Sequence, residues 1–118
     1  MEIWVNPACS KCRAATAALD EAGVRYTVRR YLDDPPTREE LQAVLERLGL
    51  EPWDIARPKE AKAVGVVDVP KDAEHRHDWL DALVAHPRLI QRPIITADDG
   101  TTVVGRDPGS LARVLPEG

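Results

Sequence analysis

The two cysteines of the chain lie three residues apart in the stretch NPACSKCR, residues 6–13, and this spacing limits the fold more than any other feature. Residues 3–5 precede it as a short apolar segment that predicts a β-strand. An alanine-rich segment follows from residue 10 to about residue 22, where Gly23 is placed to end a helix. The sequence therefore predicts a strand, a turn that carries both cysteines, and a helix that begins beside them.

The rest of the chain continues this alternation of strands and helices. The predicted elements are, in chain order, a half-buried strand at residues 24–31, an amphipathic helix from a capping box at 37–40 to Gly49, short helices near 53–55 and 59–64, a helix through Trp79 to Val84, a strand at 94–96, its hairpin partner at 102–104, and a helix from Asp107 to Leu115. The order β-α-β-α, a helical insert, then β-β-α predicts a thioredoxin-like α/β fold. In this fold helices flank a mixed sheet.

Length and charge narrow the class of protein. With 118 residues, 43% of them apolar and 31% charged, the chain is expected to form a single soluble domain of residues 1–118. A net charge of −4 argues against direct binding to nucleic acid, since contacts to phosphates need cations. The apolar runs are too short for a membrane span, and the N-terminus lacks the features of a signal peptide. We therefore expect a cytoplasmic protein that binds neither nucleic acid nor membranes.

The predicted position of the cysteines indicates thiol chemistry. A thiol at the first turn of a helix faces unpaired backbone N–H groups, and Lys11 and Arg13 are near in sequence, so Cys9 should ionise more readily than a free cysteine. The same N–H groups would attract an anionic substrate. Cys12 should lie on the same helix face, close enough to form a disulfide with Cys9. A redox-active CxxC pair is the preferred interpretation, with inert packing as an alternative.

A structural metal site is a further alternative. His75 and His77 could complete a Cys₂His₂ set with the two cysteines. A His-x-His in a charged segment is more often a solvated surface, however, so we expect no metal and no other cofactor.

Three motifs in the same order resemble the glutaredoxin-linked arsenate reductases of the ArsC family, which have a thioredoxin-like fold. These are NPAC with the following arginine, YLDDPPTREEL at residues 31–41, and HPRLIQRPI at residues 86–94. Together they span nearly the whole chain. The resemblance implies an arsenate reductase that acts on arsenate or a similar oxyanion. It also implies a glutathione-like thiol, a glutaredoxin or a thioredoxin as reductant.

The resemblance also implies the residues of the site. Cys9 would be the nucleophile, and three arginines, Arg57, Arg92 and Arg106, would hold the oxyanion and the arsenic intermediate. Arg13 is a further candidate for this group. Arginine suits the role because attack of a thiolate on an arsenate dianion brings two negative partners together. The resemblance further implies a cis peptide bond between Arg92 and Pro93 beside the nucleophile.

The sequence departs from the family pattern at two positions. Cys12 stands where the reductases have no cysteine, which leaves open whether Cys12 or an external thiol resolves the intermediate. Val5 occupies a position near the end of the first strand where well-known members carry a histidine that assists the cysteine.

Two other functions fit the CxxC pair. The Spx-type redox-sensing transcription regulators share the CSKC pattern, use it as a disulfide switch and bind RNA polymerase. A general glutaredoxin-like disulfide reductase would need both cysteines but none of the three arginines.

Overall fold

The structure is a computed structural model that describes residues 1–115. It has four strands and five α-helices in this range. In chain order they are β1 (Glu2–Val5), α1 (Ser10–Glu21), β2 (Thr27–Arg30), α2 (Arg38–Leu48), α3 (Pro58–Val64), α4 (Arg76–Ala85), β3 (Ile94–Thr96), β4 (Thr102–Val104) and α5 (Pro108–Ala112). Three short 3₁₀ helices lie at Pro52–Ile55, Ala73–His75 and Pro87–Leu89.

The residues form two compact units, of which the first comprises Met1–Asp34 and the chain from Arg92 onward. The second unit is Pro35–Gln91. The expectation of a single domain over residues 1–118 stays a prediction.

The first unit contains the whole sheet, in the order β2-β1-β3-β4. Strand β1 pairs in parallel with β2 and antiparallel with β3, and β3 pairs antiparallel with β4. The predicted α/β fold with a mixed sheet flanked by helices is therefore confirmed. The two strands predicted at residues 94–96 and 102–104 form with the expected bounds.

Helix α1 packs on the sheet through one apolar face. Its buried side chains are Cys12, Ala15 and Leu19, and they join a core that contains side chains of all the strands except β2. Gly23 ends the helix with a φ of +71°, a left-handed conformation that glycine adopts without steric cost. Cys12 is thus a core residue, at 2% exposure.

Strand β2 corrects one sequence expectation. Apolar and polar side chains alternate in residues 24–31, which predicts that Val28 is buried and Arg29 exposed. In the structure Val28 is 47% exposed, and the Arg29 guanidinium lies 5.5 Å from the centroid of the Trp4 ring. The strand is at the edge of the sheet and is four residues long. Val24 and Tyr26 pack against the core and Val28 pairs with the buried Ile3, so the pattern identified the inward face but not the exposure of Val28 at the edge of the sheet.

The second unit is helical. The capping box at Thr37 and Glu40 forms as predicted, with the Thr37 hydroxyl accepting from the Glu40 N–H at 3.1 Å. Leu41, Val44 and Leu45 of α2 are buried. The Arg57 N–H donates to the Leu89 carbonyl oxygen at 2.8 Å, and the Gln91 N–H donates to the Ile55 carbonyl oxygen at 2.7 Å.

Candidate active site

Cys9 is the N-cap residue of α1, so its side chain lies at the first turn of that helix, as the sequence predicts. Its own N–H donates to Asn6 O at 2.9 Å, and its carbonyl accepts from Arg13 N–H at 3.1 Å. Both cysteines are free thiols, Cys9 partly exposed and Cys12 buried. The turn therefore presents one reactive sulfur to solvent and keeps the other inside.

The surroundings of Cys9 favour its thiolate. Burial opposes ionisation, but hydrogen bonds from the Cys12 N–H, the Arg92 guanidinium, the Lys11 N–H and the Cys12 thiol outweigh it and lower the pKa of Cys9 from 9.0 to about 7. The contribution of Lys11 is its backbone N–H, not the charge that sequence proximity suggested. A large fraction of Cys9 is therefore ionised at neutral pH.

The surroundings of Cys12 instead favour its protonated thiol. Burial is the main cause that raises the pKa of Cys12 to about 11, and the neighbouring Cys9 adds to it, while a hydrogen bond from the Asn6 N–H and the charge of Arg92 act in the other direction. The Asn6 nitrogen lies 3.4 Å from the Cys12 sulfur. At neutral pH Cys12 is therefore a thiol, whereas about half of Cys9 is a thiolate.

Arg92 and Arg106 lie together in the first unit. The Arg92 guanidinium is partly desolvated, which would lower its pKa, but its hydrogen bond to Cys9 and the nearby Tyr31 raise the pKa overall. The Nε of Arg92 is buried and has no hydrogen-bond partner within residues 1–115. Arg106 Nη1 donates to the Arg92 carbonyl oxygen at 2.8 Å. The Arg92–Pro93 peptide bond is cis.

The other two predicted arginines have different surroundings. Arg13 is exposed and lines a cavity of about 260 Å³ together with Cys12, Pro7 and Val28. Arg57 belongs to the second unit, where its Nη1 lies 3.9 Å from Glu60 Oε1 and 3.5 Å from Arg88 O. A role for either in oxyanion binding stays a prediction.

The histidines considered as metal ligands are engaged in other contacts. His75 Nδ1 lies 2.6 Å from Asp72 Oδ1, and His77 Nδ1 lies 2.9 Å from Arg38 Nη2. In the part of the chain that the structure describes, no three His, Cys, Asp or Glu side chains form a group able to hold a metal ion. None of the helices within residues 1–115 is both long and apolar enough to cross a membrane.

Sequence reasoning did not single out two residues that contact the site. The backbone of Asn6 forms hydrogen bonds with both cysteines. Asn6 is part of the motif NPAC, but sequence reasoning assigned it no role in the site. Tyr31 is fully buried and interacts electrostatically with Arg92. Its position at the start of the second motif was a signal that could have found it, but nothing in the sequence indicates that it meets Arg92.

The protein thus has a mixed thioredoxin-like sheet, with a CxxC pair at the N-terminus of a helix and an arginine beside Cys9. The sequence profile of the ArsC family matches residues 4–114. An arsenate reductase of Neisseria meningitidis serogroup B is 36% identical over 126 residues, covering 98% of this chain and 97% of that protein. A protein of Streptomyces viridochromogenes, described as an uncharacterized protein in the glnII region, is 63% identical, covering 98% of each chain.

A solved structure agrees with these sequence matches. The arsenate reductase from Vibrio cholerae superposes with a TM-score of 0.84 at 32% identity, covering 98% of both chains. The chain belongs to the ArsC family.

Proposed function

We propose that this protein is an arsenate reductase, a thiol-dependent oxidoreductase that converts arsenate to arsenite through Cys9. The observation that carries the proposal is the environment of Cys9, where the Arg92 guanidinium and two backbone N–H groups at the start of α1 stabilise a thiolate. The names of similar proteins from Neisseria and Vibrio support arsenate as the substrate.

The first step is attack of the Cys9 thiolate on arsenic(V). A sulfur–arsenic bond forms, an arsenic–oxygen bond breaks, and the oxygen leaves as water after protonation. The thiolate and the arsenate dianion repel one another, so the step needs positive groups already in place. Arg92 supplies one beside the sulfur, because its guanidinium forms a hydrogen bond with Cys9.

Arg106 would add further hydrogen-bond donors to this arrangement. One nitrogen of its guanidinium is held by the Arg92 carbonyl, which leaves other donors of the planar group for an oxyanion. The family resemblance adds Arg57 to the oxyanion-binding set, and Arg13 is retained as a further candidate at the same turn.

The second step is resolution of the adduct by Cys12. Cys12 attacks the Cys9 sulfur, a disulfide forms, and the sulfur–arsenic bond breaks with its electron pair staying on arsenic, which leaves as arsenite. Two thiols lose two electrons and arsenic gains two, so the step balances without another reactant. Once Cys9 is bonded to arsenic its negative charge is gone, and one of the causes that hold Cys12 protonated disappears.

A reductant must then restore the dithiol. We propose a glutathione-like thiol, a glutaredoxin or a thioredoxin in the cytoplasm, because both cysteines have to return to the reduced state after each cycle. Because the family profile extends over residues 4–114, we also propose that the whole chain works as one ArsC-type domain.

A single-turnover thiol titration tests this function. Fully reduced protein is mixed with arsenate without external thiol, and free cysteines and arsenite are counted. We expect two thiols lost and one arsenite formed per chain, and Cys12→Ser should stop arsenite release while Cys9 is still modified. Cys9→Ser should abolish both changes.

Other outcomes would change the assignment. If arsenite forms only after a small thiol is added, the external thiol resolves the adduct and Cys12 does not. If arsenate consumes no thiol under either condition, the arsenate reductase proposal fails.

A further inference from the structure

Asn6 is the residue on which both cysteines are anchored. Its carbonyl accepts from the Cys9 N–H at 2.9 Å, and its own N–H donates to the Cys12 sulfur at a nitrogen–sulfur distance of 3.4 Å. The residue lies between the end of β1 and the start of α1, where the chain turns from the sheet into the helix.

The side chain of Asn6 shapes this turn. Its Oδ1 accepts from the Ala8 N–H at 3.0 Å, which closes an Asx-type turn within the loop. Because the turn restrains the backbone on both sides of Pro7, it also restrains the direction of the Asn6 N–H. That N–H donates a hydrogen bond to the Cys12 sulfur and stabilises a negative charge on it.

Cys12 needs such a donor because its surroundings are apolar. Its sulfur belongs to a core that includes Val5 and Ile95, and burial is the strongest influence that keeps it protonated. A resolving thiol must become a thiolate to attack, so a donor aimed at this sulfur speeds resolution without acting on the substrate.

We infer that Asn6 is a positioning residue for the resolving step: its side chain holds the β1–α1 turn so that its backbone N–H stays on the Cys12 sulfur. The inference rests on the proposed role of Cys12 as the resolving cysteine. Asn6 would act through Cys12, because its N–H donates to the Cys12 sulfur.

The test follows the two thiol steps separately, without arsenate. A chromogenic aryl disulfide is added to the reduced protein. The Cys9 thiolate attacks it, forming a mixed disulfide and releasing one coloured aryl thiolate. Cys12 then attacks the Cys9 sulfur, forming the Cys9–Cys12 disulfide and releasing the second aryl thiolate. Because arsenate is absent, this result is independent of whether the protein reduces arsenate.

We compare Asn6→Ala with Asn6→Ser, which keeps a side-chain acceptor for the turn. In Asn6→Ala we expect the second release to slow about tenfold and the first by less than about twofold, because the turn no longer holds the backbone N–H of residue 6 on the Cys12 sulfur. Asn6→Ser should recover most of the second rate. The natural protein with Cys12→Ser should show one release only.

The pH profile of the second release gives a further readout. Charged and titratable groups near the Cys12 sulfur are Cys9, which is uncharged in the mixed disulfide, and Arg92, with Arg13 and Arg30 lining the adjoining cavity. All of these remain in Asn6→Ala, so its profile should move to higher pH by about one unit because the N–H of residue 6 is no longer held on the Cys12 sulfur.

Three results would overturn the inference. They are an unchanged second release in Asn6→Ala, equal slowing of both releases, or failure of Asn6→Ser to recover the rate. Slowing of both releases would indicate a general disturbance of the turn, and thermal unfolding of both variants identifies it. The inference on Asn6 stands or falls on these rates even if the arsenate titration fails.

Discussion

Replacing Arg92 by methionine should raise the pKa of Cys9. Methionine has a similar length but carries no charge and no N–H, so it removes one of the hydrogen bonds that lower the pKa of Cys9 to about 7. Loss of that bond should raise the pKa of Cys9 by about one unit, equivalent to about 1.4 kcal/mol. The thiolate fraction at pH 7 would then fall from about a half to about a tenth.

The rate of alkylation at one pH conceals much of this change. A thiolate of higher pKa is intrinsically more nucleophilic, and its rate constant increases about threefold for each unit of pKa. The observed rate at pH 7 should therefore fall only about twofold. The midpoint of the pH profile is therefore the quantity to measure. It is free of this compensation.

The assay is alkylation of reduced protein by iodoacetamide over a range from roughly pH 5 to pH 10, with the Cys9 peptide followed by mass spectrometry. Cys12 should not interfere because it is buried and its pKa is about 11. The control is Arg25→Met, which changes an exposed arginine. An unmoved midpoint in Arg92→Met, or an equal shift in Arg25→Met, would falsify the electrostatic account of Cys9.

Three further predictions concern stability. The pKa of Cys9 is lower in the folded than in the unfolded chain, so its stabilising contribution is complete above about pH 9 and is lost as the pH falls through about 7; relative to Cys9→Ser, the free energy of unfolding of the natural protein should rise over this interval, and parallel curves in urea titrations would contradict it. Gly105→Ala should destabilise by about 1 to 3 kcal/mol, because the new Cβ would lie 2.7 Å from Ile95 Cδ1 and 3.2 Å from Leu111 Cδ2; a denaturation midpoint equal to that of the natural protein would show that these side chains yield freely. Thr37→Ala should lower stability by about 1 kcal/mol by removing the cap of α2, measured by urea denaturation, and no loss would mean that the cap is not needed.

The elements that the sequence predicted well are those with local signals. The strand at residues 94–96 lies between a proline and an Asp-Asp-Gly turn, and α2 begins at a capping box and ends at Gly49 with a φ of +69°. Such signals depend on neighbours in the chain and need no knowledge of the tertiary structure. The last helix was predicted to reach Leu115 but ends at Ala112, and residues 113 and 114 form a turn.

The exposure of Val28 could not be predicted in the same way. An alternating pattern does not tell whether a strand lies inside a sheet or at its edge, and β2 is an edge strand. Arg29, which the pattern assigned to solvent, forms a cation–π contact with the Trp4 ring. The position of a strand in the sheet follows from pairing with β1, which is a long-range property.

The candidate site likewise has local features that the sequence predicts and long-range features that it does not. The place of Cys9 at the helix N-terminus is a local property and was predicted from the order of strand, turn and helix. The meeting of Arg92 with Cys9 joins residues that are far apart in the chain, and only the family resemblance indicated it. The opposite pKa shifts of Cys9 and Cys12 depend on burial, which the CxxC spacing alone does not reveal.

The burial of Cys12 bears on how the protein withstands oxidants such as peroxide. An exposed thiolate passes first to a sulfenic acid and then, irreversibly in most proteins, to higher acids, whereas a sulfenic acid that meets a second thiol becomes a disulfide. Cys9 is the sulfur that an oxidant reaches, and Cys12, at 2% exposure, is shielded from direct attack but close to Cys9. We therefore expect the buried Cys12 thiol to convert a sulfenic acid at Cys9 into a disulfide, which a thiol reductant could reduce again.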